Sequence, residues 1–290
     1  MKALRILRIV LALAVFACAN LFFFGLASGV APVFGFQLLP AVLGLNLVTV
    51  GAVVGVTLLC GRVYCSVVCP MGVFQDVVIW LSRRWNGKKR RTPVAAPRPG
   101  RAVRLGVLVC TAGLMAFGLV SLGALLDGYS LYGRIATQVF RPLYSLAQNA
   151  VGACLANQGQ TCLFREEVFV RGGAALAVAV AGLVGIVLPA WFRGRFFCNT
   201  LCPVGAALSF VATRPLVRIA VDPARCVSCG LCAAACKCGA IDPKAKTLDD
   251  AACVRCFNCL SVCRRDGMRL CIGCVGGPAG AFDAKASKVL

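Results

Sequence analysis

Eight cysteines near the end of the chain repeat one spacing. Cys226, Cys229, Cys232 and Cys236 read C-x2-C-x2-C-x3-C, and Cys253, Cys256, Cys259 and Cys263 read it again, displaced by 27 residues. This is ligand spacing for two cubane iron–sulfur clusters, and it fixes the chemistry as one-electron transfer. Zinc fits less well, because its usual pattern is paired C-x2-C arms rather than three closely spaced thiols.

The rest of the chain is of another kind. Of its 290 residues, 60% are hydrophobic and 14% charged, whereas a soluble domain is nearer half apolar with about a quarter charged. The apolar residues come in long blocks, so the expected class is an integral membrane protein with a small soluble part. A formal charge of +21 would suggest nucleic acid in a soluble protein. In a membrane protein it reflects basic residues sorted to the cytoplasmic side, and no nucleic acid is expected. Histidine is absent, so no haem, Rieske centre or imidazole-bound zinc or copper is expected. The 20 cysteines lie mostly in cluster spacing beside basic segments, which favours thiolate ligation over disulfides.

Four segments reach the roughly 20 apolar residues that a bilayer requires: Ile9–Val30, Leu38–Leu59, Ala102–Leu126 and Gly172–Trp191. The first, preceded by Lys2, Arg5 and Arg8, reads as a retained helix, because no small-x-small cleavage site ends a short apolar region. The loop 82–104 carries nine basic residues and no acid, whereas 127–171 carries four basic and three acidic residues. The positive-inside rule therefore puts both termini and the 82–104 loop in the cytoplasm, with 127–171 outside. That is a multi-pass topology in a bacterial-type inner membrane. The Pro- and Arg-rich stretch 90–104 reads as an extended linker that anchors topology or meets anionic lipid. The external loop holds a candidate interfacial helix over 135–151. It also holds Cys154 and Cys162, either a disulfide or two free thiols.

A second motif also occurs twice. Gly61–Gly72 reads G-R-V-Y-C-S-V-V-C-P-M-G, and Gly194–Gly205 reads G-R-F-F-C-N-T-L-C-P-V-G, displaced by 133 residues. Each follows an apolar segment, which suggests two helix-pair repeats. Pro70 and Pro203 suit the first turn of a new helix, placing Cys69 and Cys202 at N-caps, where free amides favour an anionic sulfur. If the repeats pack about a pseudo-twofold axis, Cys65, Cys69, Cys198 and Cys202 converge. Four thiolates suit a third cubane or a soft metal ion. Two redox dithiols, or small residues for tight packing, remain as alternatives. Cys18 and Cys110 read as small apolar residues. Cys60, Cys271 and Cys274 have no assigned role.

The doubled C-terminal run resembles that of two-cluster ferredoxins, in which the fourth cysteine of each run crosses to the other cluster. The resemblance implies one cluster on Cys226, Cys229, Cys232 and Cys263, and another on Cys253, Cys256, Cys259 and Cys236. Lys237 and Arg264 stand where proline normally follows the fourth cysteine, and their charge would raise the reduction potential. Cys238 reads as a non-ligand. With the two C-x3-C-P motifs at 65–70 and 198–203, the chain as a whole resembles the NapH, MauN, NosR and CcoG membrane polyferredoxins, most of all the small NapH-type members. The resemblance implies a four-helix transmembrane domain over 1–214. A cytoplasmic α+β domain with two [4Fe-4S] clusters would follow over 215–290. It further implies electron transfer with quinone or quinol, membrane lipid and other redox subunits as partners, and no acid–base catalytic residues. A metal-reducing maturation factor, for copper for example, and a redox-sensing scaffold are the alternative functions.

Overall fold

The computed structural model describes residues 2–26, 37–85, 100–156, 172–273 and 288–289. Cys162 and Cys274 lie outside them, as do most of the basic loop and the expected turn after the first helix. The first helix, α1 (Lys2–Phe23), is followed by α2 (Leu38–Leu43), α3 (Leu47–Cys60), α4 (Tyr64–Val67) and α5 (Pro70–Trp85). Then come α6 (Arg101–Ala116), α7 (Val120–Leu126) and α8 (Gly128–Ile135). A π-helical turn (Ala136–Phe140) joins α8 to α9 (Arg141–Ala156). The turn fits Pro142, which lacks an N–H and crowds the carbonyl four residues back. The long α10 (Gly173–Arg193) leads into α11 (Phe196–Thr200) and α12 (Pro203–Val211).

Two helices, α1 and α10, are long and apolar enough to cross a membrane, and α3 is a shorter apolar helix. The expected second and third spans are interrupted, each by one local device. At Leu45 (φ 52°) the chain turns left-handed, with Leu45 N–H donating to Val42 O and Asn46 N–H to Ala41 O. Asn46 then caps α3 through Thr49 N–H at 3.1 Å. At Gly118 (φ 78°), Gly118 N–H donates to Met115 O and Leu119 N–H to Leu114 O. These are Schellman ends, which satisfy terminal carbonyls and redirect the chain. The same motif at Gly25 (φ 78°) ends α1 at Phe23, short of Val30. After Gly118 the chain doubles back: Gly123 packs on the Met115 side chain of α6. The expected interfacial helix is longer than its sequence range, running unbroken through α8, the π turn and α9.

The tail starts with β1 (Val217–Val221), followed by α13 (Leu231–Ala235), β2 (Ile241–Asp242) and β3 (Thr247–Leu248). It continues with α14 (Asn258–Val262), β4 (Met268–Ile272) and β5 (Lys288–Val289). β1 and β4 pair antiparallel, Val217 opposite Ile272, β5 extends that sheet beyond β4, and β2–β3 form a separate hairpin. One buried core runs without a break from Leu38, Tyr64 and Cys198 in the helical part to Val254 and Leu270 in the tail. The boundary expected near 214 is therefore crossed by packing. It is also crossed by hydrogen bonds, with Leu216 N–H donating to Leu58 O and Arg5 to Ser261 Oγ at 3.1 Å.

Candidate metal-cluster sites

The doubled tail run is a backbone repeat. Ser228 (φ 53°) matches Arg255 (54°), Gly230 (74°) matches Phe257 (59°), and Gly239 (63°) matches Asp266 (48°), all left-handed. Cys232 and Cys259 sit in the short helices α13 and α14, whose C-caps are Cys236 and Cys263 in extended conformation. That extended cap turns each fourth cysteine away from its own loop. One cavity is consequently lined by Cys226, Cys229, Cys232 and Cys263. A second is lined by Cys253, Cys256, Cys259 and Cys236, together with Cys238. These are the two crossed sets. Even the amides repeat: Ala240 N–H points to Cys236 Sγ (3.4 Å) and Gly267 N–H to Cys263 Sγ (3.2 Å). The first set is open, with Cys229 exposed, whereas all four cysteines of the second are buried.

The C-x3-C-P motifs form a third set. Gly61 (φ 75°) and Gly194 (φ 72°) end α3 and α10 with matching left-handed turns. One short helical turn later, Pro70 and Pro203 begin α5 and α12. Cys202 is the N-cap of α12, and its sulfur accepts from Gly205 N–H at 3.5 Å. The two segments are locked by exchange. Arg62 donates to Cys198 O (3.0 Å) and Arg195 to Cys65 O (2.7 Å). Gly72 and Gly205 are required beneath these bonds, because a Cβ would lie 2.0 Å from Cys65 O and 2.1 Å from Cys198 O. Cys65, Cys69, Cys198 and Cys202 are all buried and line one cavity with Tyr64, Asp127 and Tyr129. Burial outweighs the N-cap amides here. It pushes Cys198 up to about 11 and Cys69 and Cys202 well above the usual thiol range, with neighbouring sulfurs adding to the effect for Cys69 and Cys202. Thiolates in this pocket need a positively charged occupant.

Asp127 corrects the expected topology. Because α7 returns from the Gly118 turn, Asp127 caps α8 through Ser130 N–H (2.9 Å) and lies at the quartet rather than across the membrane from it.

A buried carboxylate joins the quartet to the tail. Asp76 Oδ1 accepts from Arg195 Nε at 2.7 Å, while Oδ2 meets Lys237 Nζ at 2.9 Å and also Arg8. Burial alone would raise Asp76, but Arg195, Lys237 and Arg8 together hold its carboxyl well below the usual carboxylate range. Lys237 directly follows Cys236, and its carbonyl accepts from Arg195 N–H. Lys237 thus takes the usual proline position because a cation is needed there. Arg83 adds bonds to the carbonyls of Ala234 and Ala235, both at 3.2 Å.

The donor sets fit iron–sulfur clusters. All twelve cysteines of the three sets are free thiols. The quartet cavity and the second tail cavity each enclose about 320 Å³ of empty space. Among the described residues no three cysteine or carboxylate side chains close tightly enough to hold a single metal ion. A lone tetrahedral ion would draw sulfurs to about 2.3 Å from one point, whereas a cubane spreads its four ligands. Elsewhere, Cys154 is a free thiol, Cys110 is exposed, and Cys18 and Cys60 are partly buried. Cys271 is buried and disulfide-bonded.

Comparison with known proteins points the same way. The family described as "4Fe-4S binding domain" matches residues 42–89 and 175–219. Those two segments contain the C-x3-C-P motifs, and the tail run lies outside them. A methylamine utilization ferredoxin-type protein MauN of Paracoccus denitrificans is 30% identical over 177 residues, covering 61% of this chain and 48% of that protein. A ferredoxin-type protein NapH of Haemophilus influenzae is 27% identical over 214 residues, covering 73% of this chain and 57% of that one. The chain is a NapH/MauN-like ferredoxin-type protein. It spans about half the length of the curated relatives it matches. No solved structure matches it.

Within this NapH/MauN-like chain, sequence reasoning missed Asp76, Asp127 and the anchoring role of Lys237. Asp76 did leave a signal: it is the one acidic residue before Asp127. A lone carboxylate amid so many cations has many partners to choose from.

Proposed function

We propose that the chain is a membrane-bound electron-transfer protein with three cubane sites in series. The C-x3-C-P quartet lies at the membrane surface, the Cys236/253/256/259 set lies behind it, and the Cys226/229/232/263 set faces solvent. A bound cluster supplies one-electron redox chemistry at each site. The observation that carries this reading is the order of burial along one continuous core, from the buried quartet to exposed Cys229. Arg195 touches both inner sites, bonding Cys65 O and Lys237 O. The chain's residues orient the sulfurs, exclude water from the inner two sites and fix their spacing. Quinol, or a redox subunit within the membrane, is the donor or acceptor at the quartet end. The bond from Arg5 of α1 to Ser261 of the tail supports both termini lying on one side, which the positive-inside rule makes the cytoplasm.

The test is iron counting with redox-titrated EPR on anaerobically purified chain in lipid nanodiscs. About twelve irons per chain are expected, falling to about eight in the double variant Cys65→Ser, Cys198→Ser, since each cubane holds four. Eight in the unsubstituted chain would remove the third cluster. Clusters that neither a short-chain quinol reduces nor its quinone oxidises would remove the quinone link.

A further inference from the structure

The largest polar cavity in the described structure lies where α6 leaves the tail. It opens into about 800 Å³ of free space, lined by Arg101, Arg104, Ser209, Phe210, Thr213 and the Leu248–Ala251 loop. Arg104 is 6% exposed, and its buried Nε has no hydrogen-bond partner. A guanidinium withdrawn from water without a partner is costly unless an anion meets it. Two further features favour an anion beside it. Gly100 caps α6 with no side-chain bond, so the amides of the first helical turn are free to donate. Ser209 and Thr213 hydroxyls donate to Ala206 O and Phe210 O, which leaves their oxygen lone pairs facing outward but adds no competing cation.

The opposite wall carries carboxylates. Asp250 is neutralised by Arg255 at 2.7 Å and by Arg218 at 3.9 Å. Asp249 accepts only backbone amides, from Ala251 (2.9 Å) and Ala252 (3.3 Å), and keeps its charge uncompensated. The cavity therefore presents an unpaired cation and an unpaired anion on facing walls. Beyond it, α6 exposes Val103, Leu105 and Val109, an apolar strip suited to acyl chains.

We propose that this cavity binds a phospholipid headgroup bearing both a phosphate and an ammonium group, as in phosphatidylethanolamine. The phosphate sits on Arg104, Arg101 and the α6 N-terminus, and the ammonium on Asp249. The site uses the chain's membrane placement and is independent of what passes between the cysteine sets. Its occupant would hold the tail against the bilayer, because Ala251 O of the same loop accepts from Arg62 at 2.9 Å, beside the quartet.

The experiment is native mass spectrometry of the full chain, released from detergent with added phosphatidylethanolamine, phosphatidylglycerol or inorganic phosphate. One ethanolamine lipid is expected to stay bound, at least about tenfold more weakly in Arg104→Met, as for loss of a charge-assisted bond. Asp249→Asn is expected to abolish the preference over phosphatidylglycerol. If Arg104→Met does not fold, the exposed Arg101→Gln carries the same test with a smaller loss. Unchanged lipid retention in both arginine variants overturns the site. Inorganic phosphate displacing the lipid at equal concentration shows a soluble anion instead and overturns the headgroup. Iron content, measured on the same samples, is unaffected in either case, which separates failure of this site from failure of the cluster reading.

Discussion

Replacing Asp76 with asparagine tests the link between the membrane part and the tail. The side chain is 9% exposed, and its partners Arg195, Arg8 and Lys237 are 0%, 7% and 11% exposed. Asparagine keeps the shape but leaves three buried cations on a neutral amide. Breaking a buried ion pair from one side costs about 3–5 kcal/mol, because the stranded charge cannot reach water. With about 2–4 °C of melting temperature per kcal/mol, the variant should melt on the order of 10 °C lower. The assay is thermal unfolding in nanodiscs, followed by tryptophan fluorescence. Adding Lys237→Met to Asp76→Asn removes one stranded cation and should recover part of the loss, a non-additivity that only direct contact produces. The pH dependence has a definite sign. The folded carboxyl is held well below the usual range, so its stabilisation is complete above the unfolded value of about 3.9 and fades only as pH falls through the depressed folded value. The gap between native chain and variant should therefore be constant from pH 5 to 8, as order-of-magnitude linkage requires, and narrow only in stronger acid. Melting within a degree or so of the native chain would refute the argument.

Three further outcomes are expected. Gly72→Ala and Gly205→Ala drive a Cβ against the backbone oxygens of Cys65 and Cys198, at 2.0 Å and 2.1 Å; each should cost about 1–3 kcal/mol or more and empty the quartet while the tail keeps its iron, read by melting and iron counting. Arg62→Lys replaces a fork that reaches Asn199 Oδ1 (2.8 Å), Ala251 O (2.9 Å) and Cys198 O (3.0 Å) with a single ammonium; a loss of about 1–3 kcal/mol in the same melting assay is expected, and Arg195→Lys should match it. In metal-free chain at neutral pH, iodoacetamide should label exposed Cys229 quickly and buried Cys198 hardly at all, with Cys198 labelling growing as pH nears 11, where burial has moved its thiol; peptide mass spectrometry reads both.

The cysteines were legible because cluster ligation is a local code. Three thiols in one loop, with left-handed residues between them, determine the site almost without help from the rest of the chain. The N-caps at Cys69 and Cys202 were legible for a similar reason, since Pro70 and Pro203 mark a helix start whatever surrounds it. The helix breaks were not. Leu45 adopts φ 52°, a conformation its side chain disfavours, so no composition rule marks the interruption before α3. Gly118 could have been flagged as a helix end, but hydropathy alone runs straight across it. Asp127 followed the same error: once the third apolar block was read as one span, its far end had to lie across the membrane. Lys237 was visible as a departure from proline, but its reason, Asp76, lies 161 residues earlier in the chain.

Both parts of the chain build their sites by exchange, and this argues against a ferredoxin merely tethered to an anchor. In the tail, neither run completes a site alone, because Cys236 lines the cavity of the second run and Cys263 that of the first. In the membrane part, neither motif completes its own backbone bonds, because Arg62 serves Cys198 and Arg195 serves Cys65. The same two arginines then join the halves: Arg62 reaches Ala251 O in the tail, and Arg195 shares Asp76 with Lys237. A tail freed at residue 215 would lose the anion that Lys237 pairs with and expose the core that it shares with Tyr64 and Cys198. Stability and inter-site geometry therefore depend on the same contacts. A substitution that loosens the Arg62 or Asp76 contacts should weaken the fold and change the quartet-to-tail spacing together, which makes these contacts, more than any single cysteine outside the clusters, the determinant of how the sites communicate.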